Sequence, residues 1–372
     1  MSRLTLSSRA RAGAARFLIA IGVGSGALAL GAVLFLAMMV PPGDRTVAAQ
    51  ETRFFRIATG TTAGTYFPIG GLLASAISKP PGTRPCDRSG SCGVPGLIAV
   101  AQASGGSMDN ITAMRDDGVE SALVQADMAY WALAGSGPFA KAKPARDLRA
   151  IASLYMETVH VVVRADSPIR RIADLKGKAV SLGDDGSGTL INARAILQAN
   201  GLKEKDVKAV YLKPTPSADQ LAEGRIDAFF LTAGAPVSVI ADLARRTPVR
   251  LVGLAGDGSS APERRLPFFA ETVVPEGTYE GVPETRALGV AALWVVDANV
   301  PDQLVYQIAK SLWHPSNRRI LDGGHALGQS IQMAQALRGV TVPLHPGALR
   351  YYQEVRQPGI EMAPPQPAHA SN

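Results

Sequence analysis

Two cysteines in 372 residues exclude a disulfide-dense scaffold, which carries several bridges in a short secreted chain. No G-x-x-x-x-G-K-[ST] run is present, so a nucleotide P-loop is excluded. There is no G-x-S-x-G nucleophile elbow. The five histidines, His160, His314, His325, His345 and His369, show no H-x-x-x-H metal spacing. No metal, cofactor or catalytic residue is therefore assigned, and binding is expected rather than turnover. A hydrophobic share of 47% excludes a disordered chain, which needs low hydrophobicity and high net charge. The length admits two or three domains.

The formal charge of +7 invites a nucleic-acid reading until its placement is followed. Arg3, Arg9, Arg11, Arg16 and Arg45 against Asp44 give the first 49 residues +4, which leaves +3 for the rest. No basic run remains that resembles a nucleic-acid footprint. Residues 17–40 (FLIAIGVGSGALALGAVLFLAMMV) carry no ionisable side chain, and about 20 such residues span a bilayer core. With arginines ahead, the N-terminus is expected to stay cytoplasmic and the rest to be exported. Val47-Ala48-Ala49 keeps a long cleaved signal open beside an uncleaved anchor.

From residue 51 the pattern alternates strand and helix, the mark of a parallel sheet covered by helices. FFRIATG (54–60), LIAVAQ (97–102), SALVQ (121–125), RAIASLY (149–155), VHVVVR (159–164), VKAVYL (207–212), IDAFFL (226–231) and VRLVGL (249–254) read as strands. Helices are expected from Pro68, near 107–116, through LINARAILQAN (190–200), and over most of the chain after Asn299. Two glycine-rich turns far apart predict two sheets and hence two lobes. Ligands in such sheets sit at the carboxyl ends of the strands.

Three turns are candidate ligand contacts. TGTTAGTYFPIGG (59–71) places hydroxyls, glycines and one tyrosine before a helix, whose free N–H groups suit an anion. In GGSMDN (105–110), Ser107 is read as a helix N-cap, with Asn110 one turn in. GDDGSGTLINAR (183–194) can form a nest of N–H groups at a helix start, and Asp184 with Asp185 would repel a polyanion. Cys86 and Cys92 sit in one loop. They make a disulfide if the domain is exported, with two free thiols as the alternative; a zinc pair lacks further ligands nearby.

These same stretches, together with SLYMETVHVVVR, FFLTAG and PLHPGALRYY, keep the order seen in the TAXI family. The chain resembles those solute receptors of tripartite ATP-independent periplasmic (TRAP) transporters. The resemblance implies an α/β, two-lobed periplasmic binding protein (type II) fold with hinge strands, preceded by an N-terminal transmembrane helix. Lobe I would comprise 51–155 and about 300–365, lobe II about 156–299, with 1–50 a stub, anchor or signal and linker and 366–372 a loose tail. It implies a small carboxylate ligand, glutamate-like or a dicarboxylate such as 2-oxoglutarate. The partners would be a TRAP permease driven by an ion gradient and the inner membrane.

Carried over by motif, the first-lobe contacts are Thr61, Thr62, Thr65, Tyr66, Ser107, Asn110, Gln125 and Asp127. The second lobe supplies His160, Ser187, Gly188, Thr189, Thr232 and Gly234, while Asn192 and Arg194 support their turn. The helix starts at Ser107 and Ser187 are expected to meet the ligand from opposite lobes. The location is the periplasm, anchored by residues 17–40 or free after cleavage. The rival readings are a receptor for an ATP-driven importer, an exported enzyme on the same fold, and a sensor module.

Overall fold

A computed structural model describes residues 51–88, 91–116, 118–255 and 268–358. The expected membrane segment 17–40, the tail 366–372 and His369 lie outside the described residues. Among the described residues no helix is long and apolar enough to cross a membrane.

The chain begins with β1 (Arg53–Ala58), which runs through the threonine-rich turn into α1 (Tyr66–Ile77). Pro68 is the third residue of that helix, where a missing N–H goes unmissed. A two-strand ribbon of β2 (Ser78–Lys79) and β3 (Val94–Pro95) brackets the loop in which Cys86 and Cys92 are joined as a disulfide. Then follow β4 (Leu97–Gln102), α2 (Ser107–Arg115), β5 (Ser121–Gln125) and α3 (Ala126–Ala134). The long β6 (Leu148–Arg164) leads to β7 (Ala179–Ser181), α4 (Gly188–Ala199), β8 (Lys208–Val210) and α5 (Pro214–Ala222). Next come β9 (Ala228–Ala233), α6 (Ser238–Arg246), β10 (Val249–Leu251), β11 (Ala270–Val274) and β12 (Thr285–Asp297). The helices α7 (Asp302–Leu312), α8 (Arg318–Gly324) and α9 (Pro346–Glu354) close the described chain.

The expectation of two sheets is corrected. One ten-stranded sheet runs β4-β1-β5-β12-β6-β9-β7-β8, with β10 on β6 and β11 on β12. Its first half pairs β4, β1 and β5 in parallel, and its second half pairs β8, β7 and β9 in parallel. Two long antiparallel strands, β6 and β12, join the halves. The near end of β12 holds β5, while the far end of β6 holds β9. The pairing of β6 with β12 slips twice, between Ala292 and Leu293 and between Trp294 and Val295. Such bulges increase local twist.

RAIASLY and VHVVVR are therefore one strand of 17 residues. Met156-Glu157-Thr158 between them is polar enough to look like a break, yet Glu157 and Thr158 are buried in the ladder. The expected boundary between lobes at 155 and 156 falls inside this strand. The run ALGVAALWVV in β12 has no two-residue alternation because nearly every residue in it is buried. Strands covered on both faces lose that signature.

Candidate ligand cavity between the sheet halves

A cavity of about 60 Å³ lies where the carboxyl ends of both parallel sets meet. From the first half it is lined by Gly60, Thr61, Thr65, Tyr66, Ser107 and Gln125. From the second half come Asp184, Ser187, Gly188, Thr189 and Thr232, with Glu157 on the connecting strand β6. Its volume is several times the roughly 10–15 Å³ that holds a single water.

The halves touch through hydrogen bonds around this cavity. The Gly186 carbonyl accepts from the backbone N–H groups of Met108, at 3.0 Å, and Asp109, at 3.2 Å. Gly106 permits this approach, with φ at +123° and the Ser187 Cα within 3.4 Å of where a Cβ would stand. Two of the first N–H groups of α2 are thus occupied by the other half, while Gly105, Gly106 and Ser107 at its start line the cavity. Gly106, not Ser107, is the N-cap; the Ser107 hydroxyl accepts instead from Gln125 N at 3.1 Å. At α4 the expectation of a polar helix start stands. Ser187 caps it by accepting from Leu190 N at 3.2 Å, and it donates to the Asp184 carbonyl at 2.6 Å.

Glu157 is the residue that sequence reading missed. It is only 2% exposed, and one carboxylate oxygen accepts from the Tyr66 hydroxyl at 2.7 Å. Burial pushes its carboxyl up to about 8, against the lowering effect of Tyr66, while the nearby Asp127 raises it further. Its signal was present as an acid inside a β-branched, apolar run, since a charge in an otherwise buried strand needs a reason. No lysine or arginine lines the cavity among the described residues. At the mouth, Asp184 is raised to about 6, first by burial.

Several expected contacts lie elsewhere. Thr62 is exposed outside the cavity. Asn110 is fully buried and engaged: its amide donates to the carbonyls of Thr59 (2.6 Å) and Leu123 (2.7 Å), and its oxygen accepts from Ser104. It ties β1 to β5. Asp127 sits behind the cavity, accepting from Met128 N at 2.8 Å and from the Asn192 amide at 2.7 Å. Burial raises it to about 6. His160 faces the far side of the sheet, with its ring nitrogens at 3.1 Å from the Leu231 carbonyl and 3.0 Å from the Tyr279 hydroxyl. Burial lowers it to about 4. Gly234 donates its N–H to Thr65 Oγ1 at 3.1 Å, and a Cβ there would overlap Leu327. Arg194 pairs at the surface with Glu204. The geometry is thus that of a small polar cavity closed between two α/β halves.

The chain belongs to the NMT1-like family, whose model matches residues 57–355. It is 36% identical over 69 residues to an Escherichia coli (strain K12) protein named for aliphatic sulfonate binding. That match covers 18% of this chain and 21% of the relative, so the chain spans about a fifth of that protein's length. Among solved structures, the periplasmic aliphatic sulphonate binding protein of Escherichia coli aligns with a TM-score of 0.43 and 16% identity. It covers 82% of this chain and 84% of that one. A binding protein component of a phosphonate ABC transporter from Pseudomonas aeruginosa gives 0.46 and 12%, covering 73% and 78%. A TctC solute binding protein from Polaromonas gives 0.40 and 18%, covering 75% and 94%.

Proposed function

We propose that the protein is an extracytoplasmic solute-binding receptor that closes two lobes on a small ligand with an acidic head group and presents it to a membrane permease. The observation that carries this reading is the cavity itself, built from two separate βα turns and enclosed by hydrogen bonds between the sheet halves. The starts of α1 and α4 flank it, and helix N-termini favour an anion. Hydroxyls of Thr61, Thr65 and Thr189 add donors. Asp184 disfavours a multiply charged head, so one carboxylate or sulfonate fits better than a phosphate ester. Sulfonate enters through the short match to the sulfonate-binding relative.

In this reading β6 and β12 are the hinge strands of a type II binding protein, and closure between them is the binding step. Residues 17–40 would direct export and, if retained, anchor the receptor to the inner membrane. The TAXI resemblance favours an ion-gradient-driven TRAP permease. A receptor for an ATP-driven importer is the second reading, and the sulfonate-binding relative leans toward it. Uptake by cells carrying the receptor and its neighbouring permease separates the two. Collapse of the ion gradient abolishes transport in the first case, and ATP depletion at constant gradient does so in the second.

The test of the receptor reading is a thermal-shift panel of amino acids, dicarboxylates and alkanesulfonates on the purified protein. A ligand at about 100 times its dissociation constant adds roughly 2.7 kcal/mol, which is readily seen. No shift from any compound in the panel sinks the proposal.

A further inference from the structure

We infer that Cys86, Cys92 and His314 form a redox-gated metal site: once the bridge is reduced, two thiolates and one imidazole hold a zinc ion. The inference is independent of the receptor reading, because none of the three residues lines the cavity. In sequence the cysteine pair has no third ligand nearby; the fold supplies one from 228 positions beyond Cys86. His314 Nε2 stands 3.9 Å from the Cys86 Sγ, and the two sulfurs and the imidazole nitrogen lie within 4.8 Å of one another. Zinc takes sulfur at about 2.3 Å and imidazole nitrogen at about 2.0–2.1 Å in a tetrahedron, which sets its ligand atoms about 3.5–3.8 Å apart. The imidazole is already close to that separation. The main movement required is that of the sulfurs, which part when their bond opens.

Both sides of the site are anchored by contacts other than the bridge. His314 precedes the one-turn helix Pro315–Asn317, and its Nδ1 accepts from Ser316 N at 3.2 Å. Asn317, buried beside it, donates to the carbonyls of Ala76 at 2.9 Å and Ser311 at 2.7 Å. That ties the turn to the ends of α1 and α7. On the other side the β2–β3 ribbon closes the base of the cysteine loop, and the Ser91 hydroxyl donates to the Ser78 carbonyl. The ring is therefore held in place whether or not the sulfurs are joined. With Nδ1 accepting, the neutral ring carries its proton on Nε2, facing the sulfur. Coordination at Nε2 needs the other tautomer, so the Ser316 hydrogen bond is exchanged for the metal bond.

Opening the site takes an external dithiol. One of its thiolates attacks the Cys86 sulfur, since Cys86 is half-buried and Cys92 buried, and the Cys86–Cys92 bond breaks with its electron pair on Cys92. The second thiol of the reductant displaces the first from Cys86. The reductant leaves as its own disulfide, and the protein holds two thiols. Zinc then displaces one proton from each thiol, and its double positive charge balances the two thiolates. Water completes the fourth position. Oxidising surroundings favour the bridge and exclude the metal; reducing surroundings exchange a covalent clamp on this loop for a metal one.

The experiment reduces the full chain with a phosphine, removes the reductant without air, and titrates zinc against a chromophoric chelator. Cobalt(II) in place of zinc reads the ligands through thiolate-to-metal absorption. One zinc is expected per reduced chain, with binding to the oxidised chain at least a hundredfold weaker. His314→Asn keeps an acceptor for the Ser316 N–H and should bind zinc at least tenfold more weakly, with altered cobalt bands. His314→Gln serves if that variant does not fold, and melting curves without metal show which does. Zinc affinity equal to the parent's in a folded His314 variant overturns the inference, because two thiolates alone would then account for binding. Equal binding by the oxidised chain overturns it too. So does a reduced chain that unfolds, or one that folds and takes no zinc.

Discussion

The Asn192 amide nitrogen donates to the Asp127 carboxylate at 2.7 Å, joining α4 of the second sheet half to α3 of the first. Both side chains are fully buried, and neither lines the cavity. The bond therefore belongs to closure and to folding rather than to ligand contact. Asn192→Ala leaves Asp127 with backbone N–H partners alone. Losing one partner of a buried polar group costs about 1–3 kcal/mol. Urea denaturation should show a loss in that range, and a loss under about 0.5 kcal/mol would contradict the assignment.

Gly188 begins α4 directly against Gln125. A Cβ at this position would stand 2.6 Å from the Gln125 Cδ and overlap the amide oxygen. Alanine is the better helix former, but the clash with buried Gln125 and the opening of contacts between the halves outweigh that gain, so Gly188→Ala should lower folding stability modestly. It should hold the halves apart and weaken ligand binding at least tenfold. Calorimetry and small-angle scattering read these two effects separately. An alanine variant that binds as tightly as the parent means that the closed contact is not needed for binding.

Stability should fall as pH rises from 7 to 8.5. Asp127 and Asp184 are raised to about 6 and Glu157 to about 8. Carboxyls with raised values stabilise fully below their ordinary range near 4, and they lose that contribution as pH climbs through the folded value. Glu120, Asp174 and Glu204, which are lowered by their arginine partners, act oppositely but only at acid pH. His160, His325 and His345, all lowered by burial, raise stability as pH climbs toward 7, so the window above 7 belongs mainly to Glu157. Melting curves of the protein without ligand should show the decline, and Glu157→Gln should flatten most of it.

Reduction of Cys86–Cys92 should lower stability modestly. The bridge spans a sequence separation of 6, and a loop that short removes about 2 kcal/mol of unfolded-chain entropy. The paired substitution to serine should lower the melting temperature by a comparable amount and leave ligand affinity alone, since neither cysteine lines the cavity. A change in affinity would connect the loop to the cavity.

Much of the cavity was legible residue by residue. Thr61, Thr65 and Tyr66 follow β1, Gln125 ends β5, and Ser187, Gly188 and Thr189 open α4. Each is a strand-end or helix-start position, where local pattern is strongest. Thr232 lies near the end of β9 and is legible in the same way. Asn110 and His160 were carried over by motif, and both prove to be satisfied within the fold. Nothing in a polar residue's type tells whether a neighbouring carbonyl already holds it. Strand β12 was not read at all, because a run buried on both faces has no alternation to find.

By itself the sequence determined the α/β alternation, the two glycine turns and the excess charge of the first 49 residues. These are properties of short windows, set by periodicity, backbone freedom and composition. Only the tertiary structure decided that the halves share one sheet, that the start of α2 serves the opposite half, and that Glu157 is a cavity residue. Those outcomes depend on which segments of distant number come to share an environment. A buried acid's role is set by what surrounds it, and here the surroundings come from β6, α1, β5 and α3 together.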